Sequence, residues 1–283
     1  MILFNHSRLQ TTRRTQNGAK MSKDYKKEFD KFKEMLATGH NFAFARFSDG
    51  EMFIMQNQTV VLAPGYFVTG DRIGQNIYTK EEQKEFLPNK HQFHREKLIE
   101  SFQYKAENYY KGICTKTDVG EENFKWQMDL HGEGHEDNLT FANLFINSNY
   151  PRYVEEIVPL FSDREIIYVV NELADLSGLP FKVKKDFRIG SNCMVDNYDT
   201  VEQVKEYIEK NNIKDHIILC SAASLSNFVI HQCFKENQNN TFLDTGSALN
   251  PYQSLEGWRF TRGYLTSYWM KSESQYGSQV DEW

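Results

Sequence analysis

The sequence predicts an α/β domain of Rossmann-like type, a mostly parallel sheet with helices on both faces. Three observations support this. Strand-like and helix-like segments alternate through the second half of the chain. The strand-like segments EIIYVV (165–170), HIILC (216–220) and TFLD (241–244) are continuously apolar, as strands covered on both faces are. The 283 residues suit one large domain of this class, with no internal repeat and no Pro/Ser-rich linker.

Taken in order, residues 1–20 read as a polar tail, with an amphipathic or targeting role as the alternative to disorder. Ser22 to Leu36 carries Phe29, Phe32, Met35 and Leu36 at helical spacing, with a serine cap and Gly39 as a stop. Residues 42–47 form a short strand, Glu51 to Gln56 begins a helix, and TVVLA (59–63) is a second strand. Residues 66–78 are loop-like, with Gly70 and Gly74, and residues 79–82 resemble a helix start. A longer helix covers 94–110, GICTK (112–116) is a small strand, 121–130 is helical, and HGEGHEDN (131–138) is irregular. Pro151 to Phe161 is a helix with proline in its first turn. After strand 165–170 comes a short helix ending at Gly178, then the alternating strand FKVKKDF (181–187). Helix 200–212 follows, capped by Thr200 or Asp199, then strand 216–220, the small-residue turn SAAS (221–224), helix 225–234 and strand 241–244. The working division is a flexible tail over 1–20, one α/β domain over 21–269 and a loose tail over 270–283.

Composition narrows the function classes. Apolar residues make up 40% and charged residues 25%, ordinary figures for a globular protein. A net charge of -6 argues against a nucleic-acid partner, which needs clustered Lys and Arg. No apolar run approaches the ~20 residues of a transmembrane helix, so the expected location is the cytoplasm, either free or peripheral to a membrane. Cys114, Cys193, Cys220 and Cys233 form no CxxC and read as packed, reduced thiols.

The chemistry concentrates in FAFARFSDGEMFIM (42–55). An apolar strand stops at Arg46 and is followed by Ser48-Asp49-Gly50-Glu51. In a doubly wound sheet, ligands sit beyond the carboxyl ends of the strands, where this segment lies. On extended backbone Asp49 and Glu51 project to the same side. Two such carboxylates suit one hard cation, Mn²⁺ or Mg²⁺, whose sphere is completed by water and substrate phosphates. Arg46 supplies a bidentate donor for a phosphate group, and Gly50 allows a tight turn or close ligand approach. The plain alternative is a surface turn holding an Arg–carboxylate pair.

ARFSDGE resembles the RFGDGE signature of the GT-D-type glycosyltransferases, with Arg46, Phe47, Asp49, Gly50 and Glu51 matching and Ser48 standing where the family usually has Gly. FLDTGSALNPY (242–252) is similar to a late strand-and-Asp-Gly segment of such proteins. The resemblance spans roughly residues 40–265, a typical domain extent. It implies a Rossmann-like fold and metal-dependent sugar transfer from a nucleotide sugar. On that basis Asp49 and Glu51 hold the metal, Arg46 shares the charge of the leaving diphosphate, and Ser48 and Gly50 border the donor. The implied partners are a nucleoside-diphosphate sugar, UDP-sugar foremost, and a glycan, glycolipid or glycoprotein acceptor. Two rivals use the same residues: a metal-dependent hydrolase of phosphate or sugar-phosphate esters, and a non-catalytic nucleotide-sugar-binding protein.

Four further segments are candidates. Ser221 and Ser224 of SAAS leave room for a phosphate or ribose, against a plain serine cap. HGEGHE (131–136) lacks the order of a zinc HExxH helix, but His131, Glu133 or His135 could serve as a base; His135 is the candidate carried forward. Asn171, Glu172 and Asp244 end strands at the predicted ligand edge, with Asp244 the better catalytic candidate. GWRFTRGY (257–264) offers Trp258, Arg259, Arg262 and Tyr264 for stacking and diphosphate binding, with Arg262 assigned to the donor.

Overall fold

A computed structural model describes residues 22–75 and 78–283. Its centre is a seven-stranded sheet built from β1 (Ala43–Phe47), β6 (Tyr109–Ile113), β7 (Leu139–Phe141), β8 (Ile166–Asn171), β9 (Val183–Ile189), β10 (Ile217–Ser221) and β11 (Thr241–Asp244). The order is β7-β6-β1-β11-β10-β8-β9, and every pairing is parallel. The mostly parallel sheet expected from the sequence is therefore wholly parallel.

Both faces are covered, which explains the continuously apolar strands. On β1, Ala43, Ala45 and Phe47 join one core. Phe44 and the preceding Phe42 join the other. On β8, Ile167 and Val169 face the first core, and Ile166, Tyr168 and Val170 the second. Helices Gln92–Gln103, Thr200–Lys210 and Leu225–Glu236 contribute to the first core. Helices Tyr25–Ala37 and Gly263–Trp269, with the segment 150–161, build the second.

Several boundaries differ from expectation. The first helix starts at Tyr25, and Asp24 rather than Ser22 caps it, accepting from Lys26 N at 3.0 Å and Lys27 N at 2.9 Å. The predicted loop 66–78 contains strands. β2 (Val60–Ala63), β3 (Tyr66–Thr69), β4 (Arg72–Gly74) and β5 (Lys84–Phe86) form a separate antiparallel sheet, ordered β4-β3-β2-β5. Helix 94–110 ends at Gln103, because Tyr109 and Tyr110 are drawn into β6 beside β1. Residues 139–141, unassigned in the sequence, supply the short edge strand β7. The final segment is docked, in contrast to the loose tail expected over 270–283. Trp283 meets Phe124 and Phe141 edge-on at 5.7 and 5.4 Å, and Ser148 N donates to Gln279 O at 3.1 Å. Residues 1–20, expected to form the N-terminal tail, lie outside the described residues.

One polar cluster sits inside the fold. Lys111 of β6 is buried, and its ammonium donates to Phe102 O at 2.6 Å, to Tyr104 O at 3.0 Å and to His131 Nδ1 at 2.9 Å. His131 Nε2 in turn donates to Gly134 O at 3.1 Å. The four bonds close with Lys111 charged and His131 the neutral tautomer protonated at Nε2, or with the shared proton moved so that Lys111 is neutral and the imidazole carries both protons. Burial, then the Lys105 charge, lowers Lys111 to about 7. Burial, then the Lys111 charge, pushes His131 down to about 4. A histidine whose folded value lies below its unfolded one contributes stability above pH 6.5 that is lost as pH falls through 4. We expect wild type to lose on the order of 2 kcal/mol over that window relative to His131→Gln. Parallel melting-temperature profiles of the two proteins, if found, would contradict this.

Candidate active site

The carboxyl ends of the parallel strands open into a cleft of 560 Å³. Arg46 is the last residue but one of β1, Asn171 closes β8, Ser221 closes β10, and Gly246 follows β11. The antiparallel sheet forms one wall through Val60, Leu62, Phe67, Thr69, Arg72 and Lys84. The cleft volume falls in the range of small-molecule and cofactor sites.

Arg46 is fixed by two features. Its Nε donates to Ala142 O at 2.7 Å. Its Nη1 lies where a side chain at position 246 would be: a Cβ built on Gly246 falls 2.0 Å from it. Gly246 also has φ +49°, a conformation that disfavours L side chains. The TGS turn after β11 thus leaves the space the guanidinium fills.

The two motif carboxylates do not project together from extended backbone. Asp49–Met55 is a helix, with Asp49 at its first position and Glu51 at its third. The turn begins at the residue after β1, and Glu51 folds back onto it. Glu51 is 7% exposed; its Oε1 accepts from Ser224 Oγ at 2.6 Å and its Oε2 from Ser48 N at 3.1 Å. Asp49 is exposed, and among the described residues one of its oxygens accepts only from its own neighbour, Gly50 N, at 2.9 Å. Both residues line the cleft. Gly50 lies beside Lys84 of the antiparallel wall, since a Cβ there would stand 3.3 Å from Lys84 Nζ.

Among the described residues, no group of three or more His, Cys, Asp or Glu side chains converges as a metal cage. The donor set is one free carboxylate, Asp49, and a second, Glu51, with both oxygens already engaged. That set fits a hard cation that takes most of its oxygens from water and substrate phosphates, and does not fit an all-protein cage.

The other predicted residues divide. Ser48, Gly50, Ser221 and Arg262 line the cleft with Arg46, Asp49 and Glu51. Arg262 is paired with Glu82 at 3.2 Å and donates from Nε to Ser247 Oγ at 3.2 Å. Ser221 Oγ is bonded to Tyr168 Oη at 2.8 Å and Thr245 Oγ1 at 2.9 Å. Ser224 is buried and spends its hydroxyl on Glu51, so it positions that carboxylate and does not face a donor. Asp244 lies beneath the cleft wall, accepting from Gly246 N at 2.9 Å. Burial raises its carboxyl to about 7, against the opposing pull of Arg46 and that N–H. His135 is exposed in the loop entering β7, and β7 runs parallel to β6. That loop is at the amino end of the sheet, the edge opposite the cleft, so His135 is not a base for this site.

Sequence reasoning missed the contribution of the antiparallel wall, including Arg72 and Lys84, because its strands are short and lack a clear alternation. It also missed Asn250 and Gln253, which line the cleft from the segment after β11. Ala223, another lining residue, has φ 42°, a local strain of the kind that gathers at binding sites.

Fold and cleft together define a Rossmann-like α/β protein with a cleft lined by charged residues at the carboxyl edge of its sheet. The sequence matches no protein-family model and no curated protein. Among solved structures, it is similar to the domain of unknown function 1792, described as having a distinct glycosyltransferase fold. The TM-score is 0.50 at 13% identity, over 81% of this chain and 79% of that one. A structure described as a new glycosyltransferase (DUF1792) from Streptococcus sanguinis aligns over 81% of this chain and 82% of its own, at 14% identity and TM-score 0.46. At such identities the likeness to the first of these concerns the fold.

Proposed function

We propose that the protein is a metal-dependent glycosyltransferase. It moves a sugar from a nucleoside-diphosphate sugar, UDP-sugar foremost, to an acceptor hydroxyl on a glycan, glycolipid or glycoprotein. The observation that carries this reading is the seating of the Arg46 guanidinium over Gly246, in the same cleft as the exposed Asp49 carboxylate. A guanidinium fixed at one nitrogen keeps its remaining N–H groups for a diphosphate oxygen. Asp49, with Glu51 behind it, would hold Mn²⁺ or Mg²⁺. Once bound, such an ion supplies neutralising charge to the departing diphosphate. Arg46 stabilises the same charge from its fixed position, and Arg262 and Lys84 add positive field along the cleft. Glu51 keeps the Ser48–Glu51 turn closed so that Asp49 stays at the cleft surface. The resemblance of ARFSDGE to the RFGDGE signature and the likeness of fold to a structure so described support the same reading.

The test is product release. Purified protein, UDP-sugars and a panel of glycan acceptors are incubated with Mn²⁺ or Mg²⁺, and both free UDP and elongated acceptor are measured. The expected result is UDP release that requires acceptor and is lost on chelation. Equal release with water alone identifies a hydrolase, and no release with any donor removes the reading.

A further inference from the structure

The cleft has two chemically different ends. Arg46, Asp49 and Lys84 mark the charged end, near β1. Toward β8 the lining includes the neutral carboxamides Asn171, Asn250 and Gln253, beside the apolar Val170 and Leu255. In the sheet order, β8 stands three strands from β1, about 14 Å at ordinary strand spacing.

Gln253 is fully buried, yet its Oε1 has no hydrogen-bond partner among the described residues. The rest of the residue is fixed. Its Nε2 donates to Tyr168 Oη at 2.7 Å, and its backbone carbonyl accepts from Asp175 N at 2.9 Å. Tyr168 is held in turn through Ser221 to Thr245. Asn171 spends its Oδ1 on Leu173 N at 2.9 Å, which leaves its NH₂ as a donor. A buried acceptor without a partner is costly and rare in native proteins, and a cleft that contains one favours a ligand that brings a donor to it.

This inference rests on the donor reading above. We infer that Gln253 is a specificity-determining residue: its Oε1 accepts a ring N–H from the base of a nucleoside diphosphate, with the carboxamides of Asn171 and Asn250 bonding the exocyclic groups on either side of it. Uracil carries such an N–H at N3 and guanine at N1. Cytosine and adenine present a bare ring nitrogen there, an acceptor facing an acceptor. A site built to pair a polar group rejects an analogue lacking it far more strongly than an apolar pocket rejects a change of size.

The experiment measures binding of UDP, GDP, CDP and ADP to the wild-type protein in the presence of Mn²⁺, by calorimetry. N3-methyl-UDP is included because it lacks only the N–H. The expected result is at least about tenfold tighter binding of UDP or GDP than of CDP and ADP, with N3-methyl-UDP as weak as CDP. The UDP and GDP arms show which base the site takes. In Gln253→Met the preference for the N–H base should shrink to about threefold or less, while CDP affinity is retained. Equal binding of all four diphosphates, or tight binding of N3-methyl-UDP, overturns the inference and leaves the donor reading standing. Binding of none overturns both. The wild-type series decides the matter even if the variant does not fold.

Discussion

Asp49→Asn is expected to lower sugar transfer at least about 100-fold and to leave the melting temperature within about 2 °C of wild type. The two halves of this expectation have separate causes. Asp49 is exposed, and its only hydrogen bond among the described residues is from the N–H of its own neighbour, so the fold loses little when the charge goes. The proposed function, in contrast, has no other exposed carboxylate in the cleft among the described residues. Glu51 is buried, while Glu82 is paired with Arg262 and Glu81 accepts from Gly257 N. Steady-state transfer rates and thermal unfolding of the same preparation check both halves. Activity within threefold of wild type would show that Asp49 does not carry the charge assigned to it.

Glu51→Ala is expected to do the reverse, acting first on stability. Its two oxygens hold the buried Ser224 hydroxyl and the half-buried Ser48 N–H, and both donors lose their acceptor when the carboxylate is removed. Losing a charge-assisted acceptor from one buried and one half-buried donor costs about 3 kcal/mol, which in a protein of this size lowers the melting temperature by roughly 5 °C. Activity falls as well, because the turn that presents Asp49 to the cleft is no longer closed. Glu51→Gln keeps one acceptor oxygen and should lie between Glu51→Ala and wild type in melting temperature. Thermal unfolding of the two variants tests the ordering; an unchanged melting temperature in Glu51→Ala would mean that the carboxylate is not the brace described here.

The contrast between these residues shows where the sequence was legible. β1, β8, β10 and β11 could be read directly, because strands buried on both faces leave unbroken apolar runs. Of the antiparallel wall only β2 was read, as TVVLA; β4 and β5 could not be, because residues such as Arg72, Lys84 and Glu85 sit in strands of three residues with polar side chains. That Arg46, Asp49 and Glu51 border a site was legible from the strand end. That Glu51 turns inward was not, because the role depends on Ser224, which lies 173 positions away in sequence. His135 shows the opposite failure. A glycine-rich loop with two histidines looks chemical in sequence, and only the direction of β7 places it at the wrong edge of the sheet. Gln253 left no local signal at all, since its significance comes from an oxygen that its neighbours leave unpaired.

The most direct test of the central claim, that Arg46 and Asp49 together grip a metal-bound diphosphate, is a calorimetric titration of UDP into wild type, Arg46→Ala and Asp49→Asn, each with and without Mn²⁺. The account predicts that Mn²⁺ strengthens UDP binding to wild type at least about tenfold. It predicts that Asp49→Asn loses that metal enhancement, and that Arg46→Ala binds UDP weakly in both conditions. UDP binding that is equally tight in all three proteins, or indifferent to Mn²⁺ in wild type, would contradict it.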